Sequence, residues 1–400
     1  LYFTIMATID VEQAILDGNT HKSIPLSVYE SSLAPTYQSS LSSLSSSIIN
    51  SFSLKSPIEF DPLIHLTYYA NGSRAQKLYD QTRRLTLEQL GLNHKQQQSQ
   101  QISDIGVSDP FQLFTDEAIT IMRQEVLQRD TFMKYARYSY NSTSGMDCVV
   151  RGFVKDGDEI NCPFTYQAWT HCKTMELVSK MAGVELEIVM DYEIAHTNIS
   201  MKLNDMVEEE RIKHQRQLID QESATSTTTN GGDDIPAVVG WHYDSYPFVC
   251  VLMLSDTTNM IGGETSLRMG SGHNGKVAIV PSPTKGSANV LQGRLIEHIA
   301  PSPVGMSERI TMVTSYRAKS PMMKDTSVLS TVKPEVNYGS RYNQFYGEWI
   351  DYRIKLMQKK LDLINLNTKC DANSGKFNKQ KTIEALKEVE EYLLKTYSEM

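Results

Sequence analysis

The spacing of hydrophobic positions changes twice along this chain. Between Thr115 and Arg129, the apolar residues Ala118, Ile119, Ile121, Met122, Val126 and Leu127 fall at helical spacing, and Thr115 is placed to cap the first turn. Thr174–Ala182 keeps that period and stops at Gly183, the residue type that most easily adopts the left-handed conformation of a helix end. From Val184 the period shortens. Val184–Met201 alternates, and Val238–Leu254, Lys276–Val280, Ala288–Leu291, Leu295–Ala300 and Ile310–Tyr316 are short β-rich runs separated by Gly and Pro. Short strands at this spacing predict an antiparallel barrel or sandwich. After Pro321 the helical period returns. Phe345, Trp349, Tyr352, Leu356 and Ile364 mark one amphipathic helix, and Ile383, Leu386, Val389, Leu393 and Tyr397 mark a second. The expected fold is α+β: a mainly helical region over 6–183, a β core over 184–320 and C-terminal helices over 321–400.

Three segments are less regular. Residues 37–56 are serine-rich with Leu41, Leu44, Ile48 and Ile49 interleaved, a pattern that suits an amphipathic helix of low propensity or a surface segment; a helix is the reading taken. Gln96–Gln101 is read as an exposed loop. Glu222–Asp234 is polar and poor in apolar residues, which predicts a mobile insertion; its place just before a candidate ligand run also suits a lid. Leu1–Ile5 precede Met6 and are read as an expression scar.

Composition narrows the class. A chain of 400 residues holds one large domain with additions, or two ordinary ones. A net charge of -8 argues against a general phosphate-binding surface, so no nucleic-acid partner is expected. Cys148, Cys162, Cys172, Cys250 and Cys370 form no C-x-x-C pair and read as reduced thiols. Apolar runs such as Phe248–Leu254 are too short to span a bilayer, and Asp10, Glu12 and Asp17 interrupt any secretory signal. A cytoplasmic protein without membrane partners is expected; its oligomeric state is not legible.

The candidate chemistry centres on His242-x-Asp244, with His298 downstream. Residues i and i+2 of a strand point the same way, so His242 and Asp244 are placed to bind one ion together. Two imidazoles and a carboxylate on one face of a metal leave the opposite positions open, as non-haem iron(II) oxygenases require. Arg309 follows on the next strand, with Thr311 on the same face. A guanidinium there offers a planar fork for a carboxylate, and the threonine hydroxyl adds a hydrogen bond, so the pair suits the far end of a chelating diacid.

The stretches Trp241-His242-Tyr243-Asp244-Ser245, Gly262-Gly263-Glu264-Thr265, Gly286–Arg294 up to His298, and Glu308-Arg309-Ile310-Thr311 resemble the 2-oxoglutarate- and iron(II)-dependent oxygenases, and within them the fungal branch. The resemblance covers residues 184–320 and implies a double-stranded β-helix, or jelly roll. It implies that His242, Asp244 and His298 ligate iron(II), and that Arg309 with Thr311 anchors the 5-carboxylate of 2-oxoglutarate. It also implies that dioxygen takes an open metal position, and that decarboxylation releases succinate and carbon dioxide and yields the oxidant of a substrate C–H bond. In relatives, the strand equivalent to Tyr192–Asn198 lines the pocket. Asn198 is thus a candidate for the co-substrate and His196 for the substrate, against a reading of both as ordinary sheet residues. Halogenases of this group lack the carboxylate ligand; Asp244 is present.

By strand alternation, Arg294 shares a side with Ile296 and His298 and is a candidate for a carboxylate of an amino-acid-like substrate; a surface ion pair is its alternative. Two other functional readings stay open: a cupin-like binding protein without turnover, and an oxygenase acting on a protein side chain.

Overall fold

Alternating residues in the middle of the chain build two antiparallel sheets. The computed structural model describes residues 24–53, 57–92, 101–141, 145–202, 204–223, 240–270, 276–301, 303–337 and 339–400. Its strands are β1 (Arg84–Thr86), β2 (Ile105–Ser108), β3 (Phe111–Gln112), β4 (Ala136–Asn141), β5 (Gly145–Val150), β6 (Lys155–Asp156), β7 (Glu159–Ile160), β8 (Leu186–Ile188), β9 (His196–Met201), β10 (Phe248–Met253), β11 (Thr265–Arg268), β12 (Val277–Val280), β13 (Ser287–Leu291), β14 (His298–Ile299) and β15 (Glu308–Ala318). The larger sheet runs β1-β2-β13-β10-β15-β9-β5-β4, with β3 beside β13 and β8 beside β15; the smaller runs β12-β11-β14. β6 and β7 form a separate hairpin.

The longer helices are α1 (Ala34–Ser42), α2 (Ser46–Ser53), α3 (Asp116–Leu127), α4 (Pro163–Thr170), α5 (Cys172–Ala182), α6 (Asn204–Ser223), α7 (Tyr342–Asn373) and α8 (Lys379–Ser398). α3 starts where its sequence said: the Thr115 side chain accepts from the Ala118 amide. α5 ends at Gly183, at φ 71°. The serine-rich segment is helical but broken between α1 and α2.

Alternation sorts the large sheet into two faces. Cys250, Leu252, Val290, Ile310 and Met312 pack with Met122, Phe164 and Trp169 of the helices into the main core. Val249 and Leu291 point the other way, where Val107, Leu267, Val280, Leu295 and Ile296 join them between the two sheets. A third cluster seats α7 and α8, through Phe345, Trp349 and Tyr392, against Tyr192 and Tyr246.

Several expectations are corrected. Besides its helices, the described part of 6–183 supplies β1 to β5 to the large sheet, which therefore crosses the boundary expected at 184. Val184–Met201 is not one strand. A short 3-10 turn at Asp191–Glu193 and a left-handed Ala195 (φ 60°) divide it. That break is held from outside, since the Tyr192 amide donates to Glu348 at 2.6 Å and the Ala195 amide to the Thr314 hydroxyl at 3.0 Å. α6 was not foreseen, because its sequence is strongly polar. Of Val238–Leu254, the described part forms a strand only over β10. Of Leu295–Ala300, only β14 is extended, and Gly293–Ile296 form a turn. Leu1–Ile5, Gln96–Gln100 and 224–234 lie outside the described residues. No helix among the described residues is long and apolar enough to cross a membrane.

Candidate metal centre

His242 does not sit within a strand; it forms an isolated antiparallel bridge to His298. The His242 amide donates to the His298 carbonyl at 3.1 Å and the His298 amide to the His242 carbonyl at 3.0 Å. This reciprocal pair brings the two rings to 4.4 Å between centroids. Asp244 is held by its amide, which donates to the Gly293 carbonyl at 3.0 Å.

The side chains then converge. His242 Nε2 lies 3.7 Å from Asp244 Oδ1, and His298 Nε2 lies 3.7 Å from Asp244 Oδ2. One ligand atom from each of the three residues falls within 4.8 Å of the others. Ligand bonds to a divalent transition ion are ~2.1 Å long, so atoms at these separations can share one ion with little movement. The ring nitrogens are also arranged for it. His242 Nδ1 is 2.8 Å from the Gly240 carbonyl and His298 Nδ1 is 2.9 Å from the Ile296 carbonyl. A carbonyl only accepts, so each Nδ1 carries the proton and each Nε2 presents a lone pair. Burial and the neighbouring His298 push the His242 pKa down, against the pull of Asp244, which keeps the ring neutral for ligation.

Asp244 Oδ2 is buried and has no hydrogen-bond partner among the described residues. An ionised oxygen without a partner is costly, and a cation removes that cost. The floor beneath it is Gly293: a Cβ there would lie 1.8 Å from Oδ2. The donor set, the orphaned oxygen and the glycine floor all fit a divalent metal.

The inner face of the large sheet forms a wall beside this centre. Arg309 pairs with Ser200 and Thr311 with Asn198 across β15 and β9. They share strand parity with Val313, which packs between the two sheets, so they face inward. Burial lowers the Arg309 pKa, and its Nε has no partner among the described residues. His196, opposite Val313, also faces inward, with no partner for Nε2 among the described residues. Burial and then Arg151 push the His196 pKa well down, against a hydrogen bond with Asn198. Tyr192 does not share this strand face as expected, being in the 3-10 turn. Arg294 lies in the turn after Gly293, where strand alternation does not apply; its Nε donates to the Thr326 carbonyl at 3.2 Å.

The structure thus brings His242, Asp244 and His298 together and sets Arg309, Thr311, Asn198 and His196 on one wall, with Arg294 turned toward the C-terminal region. Two residues next to these side chains carried no signal of their own in the sequence: Gly293 under Asp244, and Arg151, which precedes the expected β core and acts on His196.

No protein-family model matches this chain, and neither does any curated protein. Among solved structures, it is similar to an oxidoreductase of the 2OG-Fe(II) oxygenase family from Burkholderia pseudomallei, at 14% identity and TM-score 0.30, over 48% of this chain and 74% of that one. It is similar to a prolyl hydroxylase from Trichoplax adhaerens, solved with a hypoxia inducible factor peptide fragment, at 11% identity and TM-score 0.32, over 62% and 92%. A non-heme α-ketoglutarate-dependent epimerase of nogalamycin biosynthesis matches at 12% identity and TM-score 0.34, over 53% and 78%.

Proposed function

We propose that the protein is a 2-oxoglutarate- and iron(II)-dependent oxygenase that oxidises a C–H bond of a small, amino-acid-like molecule. The observation that carries this reading is the convergence of His242, Asp244 and His298, with Nε2 lone pairs and an orphaned carboxylate oxygen on one point. Bound there, iron(II) with 2-oxoglutarate and dioxygen supplies C–H oxidation with release of succinate and carbon dioxide. We read β9, β15, β10 and β13 as one wall of a double-stranded β-helix, and the His242 bridge with β14, β11 and β12 as the other. The likeness to the fungal branch rests on the motif residues alone.

The chain's own residues divide the work. The two Nδ1–carbonyl bonds hold the imidazoles in one tautomer. Arg309, desolvated and with no partner for Nε among the described residues, would hold the far carboxylate of 2-oxoglutarate, and Thr311 and Asn198 flank it as a cross-strand pair. Low dielectric around Arg309 strengthens that pairing relative to water. Arg294 stays a candidate for the substrate. We take the setting to be cytoplasmic and the substrate not to be a nucleic acid, in line with the net charge of -8.

The test is anaerobic addition of 2-oxoglutarate to the iron(II) protein, followed by a screen of amino acids and related metabolites for substrate-dependent succinate release. A visible charge-transfer band on adding 2-oxoglutarate, lost in His242→Ala with the fold intact, is expected. Full turnover in His242→Ala sinks the assignment. Binding without turnover across the screen favours a cupin-like binding protein, and turnover only with peptides favours a protein side chain as substrate.

A further inference from the structure

Buried polar atoms without partners are rare, and each one calls for an explanation. On the inner wall, Asp244 Oδ2 and Arg309 Nε are explained by the metal and by 2-oxoglutarate. His196 Nε2, Arg151 Nε and Arg151 Nη1 are not. Arg151 directly follows β5. Val150 pairs with Thr197, so the register continues with Arg151 opposite His196, on the same inward face.

Arg151 is fully buried and held from behind. Glu193, itself buried, pairs with its Nη2 and also accepts from the Tyr246 hydroxyl at 3.1 Å. The Tyr192 ring stacks 5.8 Å from the guanidinium carbon, and the Tyr192 hydroxyl donates to the Gly339 carbonyl at 3.2 Å. A Cβ on Gly339 would meet Arg151 Cδ at 3.3 Å, so this backbone packs against the arginine stem. A guanidinium carries five N–H donors, and with one carboxylate at Nη2, Nε and Nη1 have no partner among the described residues. His196, opposite it in the continued register, is only partly buried and lies across from Val313, which packs between the sheets.

Distance separates this group from the co-substrate. Arg151 lies two strands across and two inward-facing positions along from Arg309. With strands ~4.8 Å apart and a rise of ~3.4 Å per residue, that is about 17 Å between Cα atoms. A five-carbon diacid with bonds of ~1.5 Å spans less than half of that. On the oxygenase reading, 2-oxoglutarate with one carboxylate at the metal and the other at Arg309 would have none left for Arg151.

We propose that Arg151, edged by His196, is an anion subsite for a carboxylate of the substrate, so that the substrate class is a small molecule bearing its own carboxylate. The proposal rests on the oxygenase reading of the neighbouring centre. It also moves the substrate cation from Arg294, whose Nε is taken by the Thr326 carbonyl, to a guanidinium with donors to spare.

The experiment uses the cobalt(II)-loaded protein saturated with 2-oxoglutarate under nitrogen. It is titrated calorimetrically with N-acetylglycine and with its neutral analogue N-acetylglycinamide. The acid is expected to bind at least tenfold more tightly than the amide. In Arg151→Gln that preference should fall to near one, while the Kd for 2-oxoglutarate stays within twofold. Because Arg151 is buried, His196→Leu is run in parallel; it leaves the Arg151–Glu193 pair in place and should cut the preference at least threefold. A wild-type preference below twofold overturns the proposal, as does a preference that survives in both variants or falls only in Arg294→Gln. If the cobalt protein fails to bind 2-oxoglutarate at all, the oxygenase reading falls and the proposal with it, a result seen before either probe is added.

Discussion

Asp244 rests its carboxylate on the bare Cα of Gly293, while its amide donates to the Gly293 carbonyl at 3.0 Å. A methyl group at Gly293 would stand 1.8 Å from Oδ2 and 2.6 Å from the carboxyl carbon, so the ligand would have to leave. Gly293→Ala is therefore expected to weaken divalent-metal affinity by roughly 10–100-fold, the range seen when groups supporting metal ligands are lost. Titration with manganese(II) followed by electron paramagnetic resonance measures this, with circular dichroism to show that the fold persists. An unchanged affinity would mean that the carboxylate is not positioned by this contact.

Arg309 tests the second half of the site. Arg309→Lys keeps the charge but loses the planar fork. A hydrogen bond to a charged group contributes about 1.5–3 kcal/mol, so the affinity for 2-oxoglutarate should fall by about tenfold or more. Metal affinity should hold, because Arg309 is not among the converging ligand atoms. Equal 2-oxoglutarate affinity in the two proteins would place the carboxylate elsewhere.

Stability should carry a pH signature from Glu125, far from the metal. This α3 carboxylate is buried and caps the start of α4, accepting from the Phe164 amide at 3.0 Å, the Thr165 amide at 2.8 Å and the Thr165 hydroxyl at 2.6 Å. Burial outweighs those bonds and pushes its pKa from 4.5 to about 7. Between those values the folded chain keeps a proton that the unfolded chain has released, so stability falls as pH rises through the window. The shift corresponds to about 3 kcal/mol. Urea denaturation of the wild type and Glu125→Gln at pH 4.5 and pH 7.5 should show their stability difference moving by that amount in the variant's favour. Parallel pH profiles would refute the raised pKa.

Residues that act through local spacing were legible in the sequence. The helices α3, α5, α7 and α8 follow from apolar period and caps, and His242-x-Asp244, His298 and Arg309 follow from order along the β runs. What was hidden depends on contacts between distant segments. His242 and His298 meet through a two-residue bridge rather than a continuous strand, so their convergence with Asp244 does not come from the strand alternation that was expected. Alternation failed at Arg294, where the chain turns. Ala195 takes a left-handed conformation because Thr314 and Glu348 hold the backbone around it, a constraint that no local pattern encodes. Arg151 looks like any strand-end arginine until the register sets it beside His196.

The C-terminal helices offer a test that links packing to the centre. Asp325 is buried and accepts from Arg353 Nη1 at 3.1 Å, from the Tyr392 hydroxyl at 2.7 Å and from the Tyr352 hydroxyl. Arg353 is fully buried on α7 and also donates to the Thr396 hydroxyl of α8 at 2.9 Å. Burial alone would raise the Asp325 pKa, but Arg353 and the surrounding hydroxyls bring it below the usual range. Removing one partner strands the other, so Asp325→Ala should cost about 3–5 kcal/mol of stability, whereas Asp325→Leu with Arg353→Met should cost much less, because no charge is left buried. The next residue, Thr326, supplies the carbonyl that accepts from Arg294, and Arg294 follows Gly293 directly. Loosening Asp325 should therefore also lower manganese affinity, though by less than Gly293→Ala, where the clash is direct. The double variant should recover most of both losses. If the double variant recovers stability but not metal affinity, the Thr326–Arg294 link is not what carries the strain to the metal centre.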